Sequence, residues 1–170
     1  MLLINIACID DFVFAFRDIE KHKYKMIHRN RSTVICLQDN KILGFHAVDS
    51  TSKVKYFFLP GGKIEEGESP AQSALRETLE ETGYKIRLFP QAAIVKEYTF
   101  PWDGNVYFSK TVFYPAMLLK PTDTPAIVND AEYHQGADWV PVTEIEKHFG
   151  YQKDILSAVQ ECLIYLKKLK

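Results

Sequence analysis

An α/β domain is the fold class this sequence predicts, on three observations. Short runs of β-branched and aromatic residues alternate with turn-forming residues along most of the chain. Two segments place apolar residues at helical spacing, and one of them has start and stop signals at its ends. The length of 170 residues suits one domain with its own core, and 46 % hydrophobic with 25 % charged residues is ordinary for a globular chain.

At the N-terminus, Phe12, Phe14 and Phe16 alternate, which predicts a strand with one buried face. Residues 1–30 read as an extension packed on the sheet, with Arg17 to Lys25 as an extra sheet edge or a homodimer contact, and residues 31–170 read as the main domain. Ser32 to Leu37 and Ile42 to Val48 flank Asp39-Asn40, the pattern of a hairpin. Val54 to Leu59 is a further strand, ended by Pro60-Gly61-Gly62.

A helix is expected over Pro70 to Thr82. Ser69 is its N-cap, Pro70 its first residue, Gln72 completes a capping box, and Gly83 ends it in a left-handed conformation. Ala71, Ala74, Leu75, Thr78, Leu79 and Thr82 form the face expected against the sheet.

Ala92 to Phe100 and Val106 to Leu119 flank a strong turn at Asp103-Gly104-Asn105. Ala137 to Val140 is a short strand. Thr143 with Glu146 predicts a capping box for a short helix. In the closing helix, Ile155, Leu156, Val159, Cys162, Leu163, Leu166 and Leu169 make a stripe for core packing.

Charge and composition exclude some functions. The formal net charge is −1, so no duplex nucleic acid partner is expected. A small nucleotide remains compatible, because a bound metal ion supplies positive charge locally. The apolar start lacks a positively charged lead and meets Asp10-Asp11 early, so it reads as a strand and not a signal peptide. No stretch is apolar enough to span a membrane. Cys8, Cys36 and Cys162 are an odd, scattered set, which fits free thiols in a reducing cytoplasm.

The chemistry is concentrated around the Pro70 to Thr82 helix. Glu77, Glu80 and Glu81 sit three and four residues apart, as neighbours on the face away from the sheet. Two readings stand side by side. The face is a solvated acidic surface, or a divalent cation neutralises it. Mg²⁺, with Mn²⁺ as an alternative, prefers hard oxygen ligands and substrate phosphates. The preceding loop, Gly61 to Glu68, holds three glycines that let the backbone approach a ligand. No Gly-Lys-Ser/Thr ends it, so it is not a Walker-type phosphate loop.

Taken together, Gly62, Glu68, Arg76-Glu77, Leu79, Glu80-Glu81 and Gly83 resemble the Nudix box, with Thr78 and Tyr84 at two loosely apolar places. The resemblance covers roughly residues 30 to 168. It implies an α/β/α sandwich around a mixed β-sheet, and a metal-dependent hydrolase that cleaves a phosphoanhydride bond in a nucleotide-type small molecule. It also implies that Glu77, Glu80 and Glu81 bind metal, joined by the carbonyl of Gly61. Arg76 then orients a neighbouring glutamate, and Glu68 is a supporting acid. Glu81 or Glu77 is the first choice for the general base.

Asp138 and Glu132 are outside candidates for a further acidic group, against the readings that Asp138 caps a strand end and Glu132 is plain surface. Tyr98, Phe100 and Trp102 are candidates to stack on a base, against burial in the core. Arg29 and Arg31 are candidates to meet a phosphate, against ordinary surface arginines. Substrate markers of individual family branches find no clean match at Tyr98 or Pro101. The alternative function is a non-hydrolytic nucleotide sensor or interaction domain of the same fold, against which all box carboxylates are present. An isomerase of isopentenyl-diphosphate type ranks last, because Cys36 falls on a strand and the five histidines do not cluster.

Overall fold

The computed structural model describes residues 26–120, 125–126 and 134–169. The expected strand at Phe12 to Phe16, the charged run after it, Cys8 and Glu132 lie outside these residues.

Strand β1 (Met26–Gln38) is the spine of the fold. It turns into β2 (Lys41–Val48) through Asp39 and Asn40, whose φ values of 46° and 60° suit a tight two-residue hairpin turn. The two strands pair only next to that turn, at Leu37↔Ile42 and Gln38↔Lys41. Further back, β1 runs parallel to β7 (Asn105–Leu118) from Met26↔Val106 to Cys36↔Ala116.

The remaining pairings are antiparallel. β3 (Lys55–Phe58) and β8 (His134–Pro141) flank β2. β4 (Gly61–Lys63) lies beside β1, and β5 (Ile86–Leu88) and β6 (Ile94–Trp102) lie beside β7. The expected turn between β6 and β7 forms at Asp103 and Gly104, both at positive φ. The sheet is therefore mixed.

Alternation along β1 builds two cores. Val34 and Cys36 face α1 (Pro70–Thr82) on one side. Ile35 and Leu37 face α3 (Lys153–Lys167) on the other, over a core that includes Phe113, Phe149 and Val159. A short helix, α2 (Ile145–Phe149), packs beside α3. The result is the helix–sheet–helix sandwich expected from the sequence.

Three details differ from expectation. Leu75 and Leu79 are 42 % and 41 % exposed, and the buried residues of α1 are Ser73, Ala74, Thr78 and Thr82. Small side chains let the helix approach the sheet closely. The hydroxyls of Thr78 and Thr82 bond back to the carbonyls of Ala74 and Thr78, which satisfies them in that tight contact. Thr143 does not cap α2, because Val142–Glu144 winds as a 3₁₀ turn leading directly into the helix. Leu169 lies beyond the end of α3 and is 46 % exposed.

Candidate active site

The site grows from the start of α1. Ser69 accepts from the backbone N–H of Gln72, and the Gln72 side chain accepts from the N–H of Ser69. This is the expected capping box, with Pro70 in the first turn. At the other end Gly83 adopts φ 71° and its N–H closes on the Leu79 carbonyl at 2.9 Å. Both ends of the acidic helix are therefore fixed by local chemistry.

β4 brings the glycine loop against the helix. It pairs with β1 at Thr33↔Gly61, Ser32↔Gly62 and Arg31↔Lys63. Gly61 is held at both of its backbone groups. Its N–H donates to Oε2 of Glu81 at 2.7 Å, and its carbonyl accepts from Nη2 of Arg31 at 2.6 Å. Gly62 stands beside Glu77: a Cβ there would lie 2.2 Å from Glu77 Oε1. The glycine leaves the room that the carboxylate fills.

Arg76 ties the acidic groups together. Its Nε and Nη2 grip both oxygens of Glu68 at 2.9 Å each. Its Nη1 donates to Glu77 at 2.8 Å and to Glu80 at 3.0 Å. Burial pushes the Glu77 carboxyl above its ordinary range, against the pull of Arg76, and the charge of Glu80 pushes the same way. Glu68 is held below its ordinary range, chiefly by its bonds with Arg76.

These residues fit a divalent cation. Glu77, Glu80 and Glu81 offer hard oxygen donors from successive turns of one helix. The cradle at Gly62 keeps the half-buried Glu77 carboxylate in place, and burial makes its charge costly, a cost that the Arg76 guanidinium at 2.8 Å offsets only in part. Among the described residues no three acidic, histidine or cysteine side chains already converge in a ligating cluster. Arg76 is the cation that bridges Glu77 and Glu80.

The other sequence candidates are distributed differently. Arg31 joins the site through Gly61. Asp138 lies within β8 opposite Gly44, and its carboxylate meets His46 at 3.4 Å and the N–H of Trp139. It therefore does not cap a strand end, and none of these partners belongs to α1. Tyr98 is buried, with its hydroxyl accepting from Thr111 Oγ1. Phe100 is buried as well, while Trp102 is half-buried at the end of β6. Both rings join an aromatic group with Tyr56, Phe58 and Tyr151. Cys36 is fully buried and its thiol is pushed up to about 12 by burial, which suits a core residue and not a nucleophile.

Sequence reasoning missed Asp49. Its buried carboxylate accepts from the N–H groups of Thr51 and Ser52 and, across the fold, from Asp103 at 2.7 Å. It joins the β2–β3 loop to the tip of the β6–β7 hairpin, next to Trp102. The Asp-Ser-Thr-Ser run is a turn signal that marked the local bonds but not the distant one. Sequence reasoning also missed a cleft of about 330 Å³ between β2, β3 and α2, lined in part by His46, Phe57 and His148 and by none of the α1 carboxylates.

Comparison with known proteins agrees with the fold. Over 59 residues the chain is 36 % identical to a Bacillus subtilis (strain 168) protein named for 8-oxo-dGTP diphosphatase activity. That stretch is 35 % of this chain and 40 % of the relative, so the chain spans less than half of its length. A NUDIX hydrolase from Nitrosomonas europaea superposes with a TM-score of 0.57 at 20 % identity, over 78 % of this chain and 86 % of that one. A C. elegans Ap4A hydrolase superposes with a TM-score of 0.60 at 18 % identity, over 82 % of this chain and 98 % of that one. At these identities the structural likeness is one of fold. The NUDIX domain family matches residues 26–159, most of the described sheet and both of its faces, and the chain belongs to that family.

Proposed function

We propose that this protein is a divalent-metal-dependent pyrophosphohydrolase that cleaves a phosphoanhydride bond in a nucleotide-type small molecule. The observation that carries this reading is the packing of Glu77 against Gly62 beneath the Glu77, Glu80 and Glu81 face. It supports a site built to hold negative charge close to a backbone that a phosphate can approach. Mg²⁺, or Mn²⁺ in its place, would be held by Glu77, Glu80 and Glu81 with the carbonyl of Gly61. When bound, such an ion polarises a phosphoryl oxygen and lowers the pKa of water.

The protein side chains do the rest. Arg76 holds Glu77 and Glu80 in one orientation and is itself held by Glu68. Glu81 fixes the glycine loop through Gly61 and is the first candidate to accept a proton from the attacking water, with Glu77 the second. Arg31 supplies positive charge at the loop. The half-buried Trp102 offers an aromatic edge for a nucleobase. The buried Tyr98 and Phe100 support the strand that carries it. The names of the relatives, which include an 8-oxo-dGTP diphosphatase and an Ap4A hydrolase, support nucleotides as the substrate class. Buried free thiols at Cys36 and Cys162 suit a reducing, cytoplasmic setting, and no described helix is long and apolar enough to cross a membrane.

The test is phosphate or nucleotide release from a panel of nucleoside triphosphates and diphosphate-linked nucleotides, with Mg²⁺ or Mn²⁺. Turnover that vanishes in Glu81→Gln is expected, because glutamine can still accept from Gly61 but brings no charge. No turnover by folded protein on any substrate would overturn the reading. Tight nucleotide binding without product, seen by calorimetry, would establish a sensor instead.

A further inference from the structure

One buried hydroxyl beside the acidic helix is unbonded. Ser32 of β1 is fully buried, and its Oγ has no hydrogen-bond partner among the described residues. Such a group is unfavourable, because it has lost its bonds to water without gaining others. The hydroxyls of α1 above it are committed. Ser73 donates to the Lys63 carbonyl, and Thr78 and Thr82 donate back along the helix.

Strand register decides what Ser32 faces. Ser32, Val34 and Cys36 alternate onto one face of β1, and Val34 and Cys36 belong to the core under α1. Across the β1–β4 pairing, Ser32 stands opposite Gly62. Residues directly opposite in an antiparallel pair share a face, with Cβ positions about 4.5–5.5 Å apart. At Gly62 the Cβ position is filled by the carboxylate of Glu77. Ser32 is therefore the cross-strand neighbour of a carboxylate that reaches in from the helix.

That carboxylate has an oxygen to spare. Arg76 Nη1 donates to Glu77 Oε1 at 2.8 Å, and no described group donates to Oε2. A carboxylate that holds a cation is kept in orientation by hydrogen bonds from the groups around it. An unbonded donor and an unserved acceptor thus lie in one layer, on neighbouring elements.

We propose that Ser32 is a positioning residue for the reaction, its hydroxyl donating to the Glu77 carboxylate when that group holds a divalent cation. Arg76 and Ser32 then hold the carboxylate from two sides. This rests on the reading of Glu77 as a metal ligand in a pyrophosphohydrolase, and its test does not require turnover.

Mn²⁺ binding to the full chain, read by calorimetry without nucleotide, tests the role directly. Ser32→Ala should weaken Mn²⁺ affinity roughly ten- to hundredfold, the usual effect of removing a group that orients a ligand. Ser32→Cys, similar in size and a weaker donor, should recover part of it. In EDTA, Ser32→Ala should melt at or above the wild-type temperature, because the change removes a buried hydroxyl that has no bond. In turnover, the loss should be large at low Mg²⁺ and shrink as Mg²⁺ saturates. Unchanged Mn²⁺ affinity in Ser32→Ala would overturn the proposal and leave the hydrolase reading intact. So would an equal loss of stability in EDTA and in Mn²⁺, the mark of a hydroxyl that serves the fold alone. Weakened Mn²⁺ binding in Ser32→Ala, with no turnover of any nucleotide by the wild type, would sink the hydrolase reading and leave Ser32 as the group that positions Glu77.

Discussion

The carboxylate of Glu77 occupies the space that any side chain on Gly62 would need, with a Cβ at Gly62 falling 2.2 Å from Glu77 Oε1. The atoms in the way are the far end of a flexible side chain, so the helix and loop need not move. Gly62→Ala should therefore lose at least tenfold in kcat while unfolding within about 1 kcal/mol of the wild type. Gly61→Ala is the contrast. Gly61 has φ 154°, and its added Cβ would meet the Ser32 carbonyl at 2.3 Å. Backbone is the obstacle there, and a loss of about 1–3 kcal/mol is expected in urea unfolding. Equal stability losses in the two variants would refute the distinction.

Arg76 should not be replaceable by lysine. One guanidinium serves Glu68, Glu77 and Glu80 together. A single ammonium has no fork for both oxygens of Glu68. Arg76→Lys should keep its fold and lose roughly ten- to hundredfold in kcat, with KM changing less. Full activity in the lysine variant would show that only the charge of Arg76 matters.

Divalent metal should stabilise the protein through Glu77. Saturating Mg²⁺ at a hundredfold excess over its Kd adds about 2.7 kcal/mol to the folded state. A rise in Tm with Mg²⁺ is expected in the wild type and should be absent, or much smaller, in Glu77→Gln. An identical rise in both would place the ion elsewhere.

Asp49 should make stability depend on acid. Burial raises its pKa, but the N–H groups of Asp103, Ser52 and Thr51 outweigh that and hold it below the ordinary range. A depressed carboxylate stabilises the fold above its unfolded pKa of about 4, and the contribution fades as pH falls through the lower folded value. Asp49→Asn should cost about 2 kcal/mol at pH 7, and the gap to wild type should narrow at pH 3. Because Asp49 also anchors the hairpin tip beside Trp102, the variant should raise KM for nucleotides. A gap that does not change with pH would remove the charged form from the account.

Leu75 and Leu79 show where local reading stops. Their spacing marks them as apolar members of a helix face, and the sequence carries no measure of how near the sheet will come. Close approach selects Ser73, Ala74, Thr78 and Thr82 for burial and turns the leucines outward. Thr143 shows the same limit at a boundary, where a capping pattern yields to a 3₁₀ turn set by the end of β8.

By itself the sequence determined what depends on neighbours along the chain. The capping box at Ser69 and Gln72, the left-handed Gly83, the hairpin turns at Asp39-Asn40 and Asp103-Gly104, and the acidic face of α1 are all set within a few residues. Tertiary structure alone decided what depends on meetings between distant segments. It placed Gly62 beneath Glu77, gave the Gly61 backbone to Glu81 and Arg31, and joined Asp49 to Asp103. The physical reason is that burial and charge compensation act across space. The pairing of β1 with β4 brings the glycine loop to Arg31, and that pairing is a property of the whole sheet.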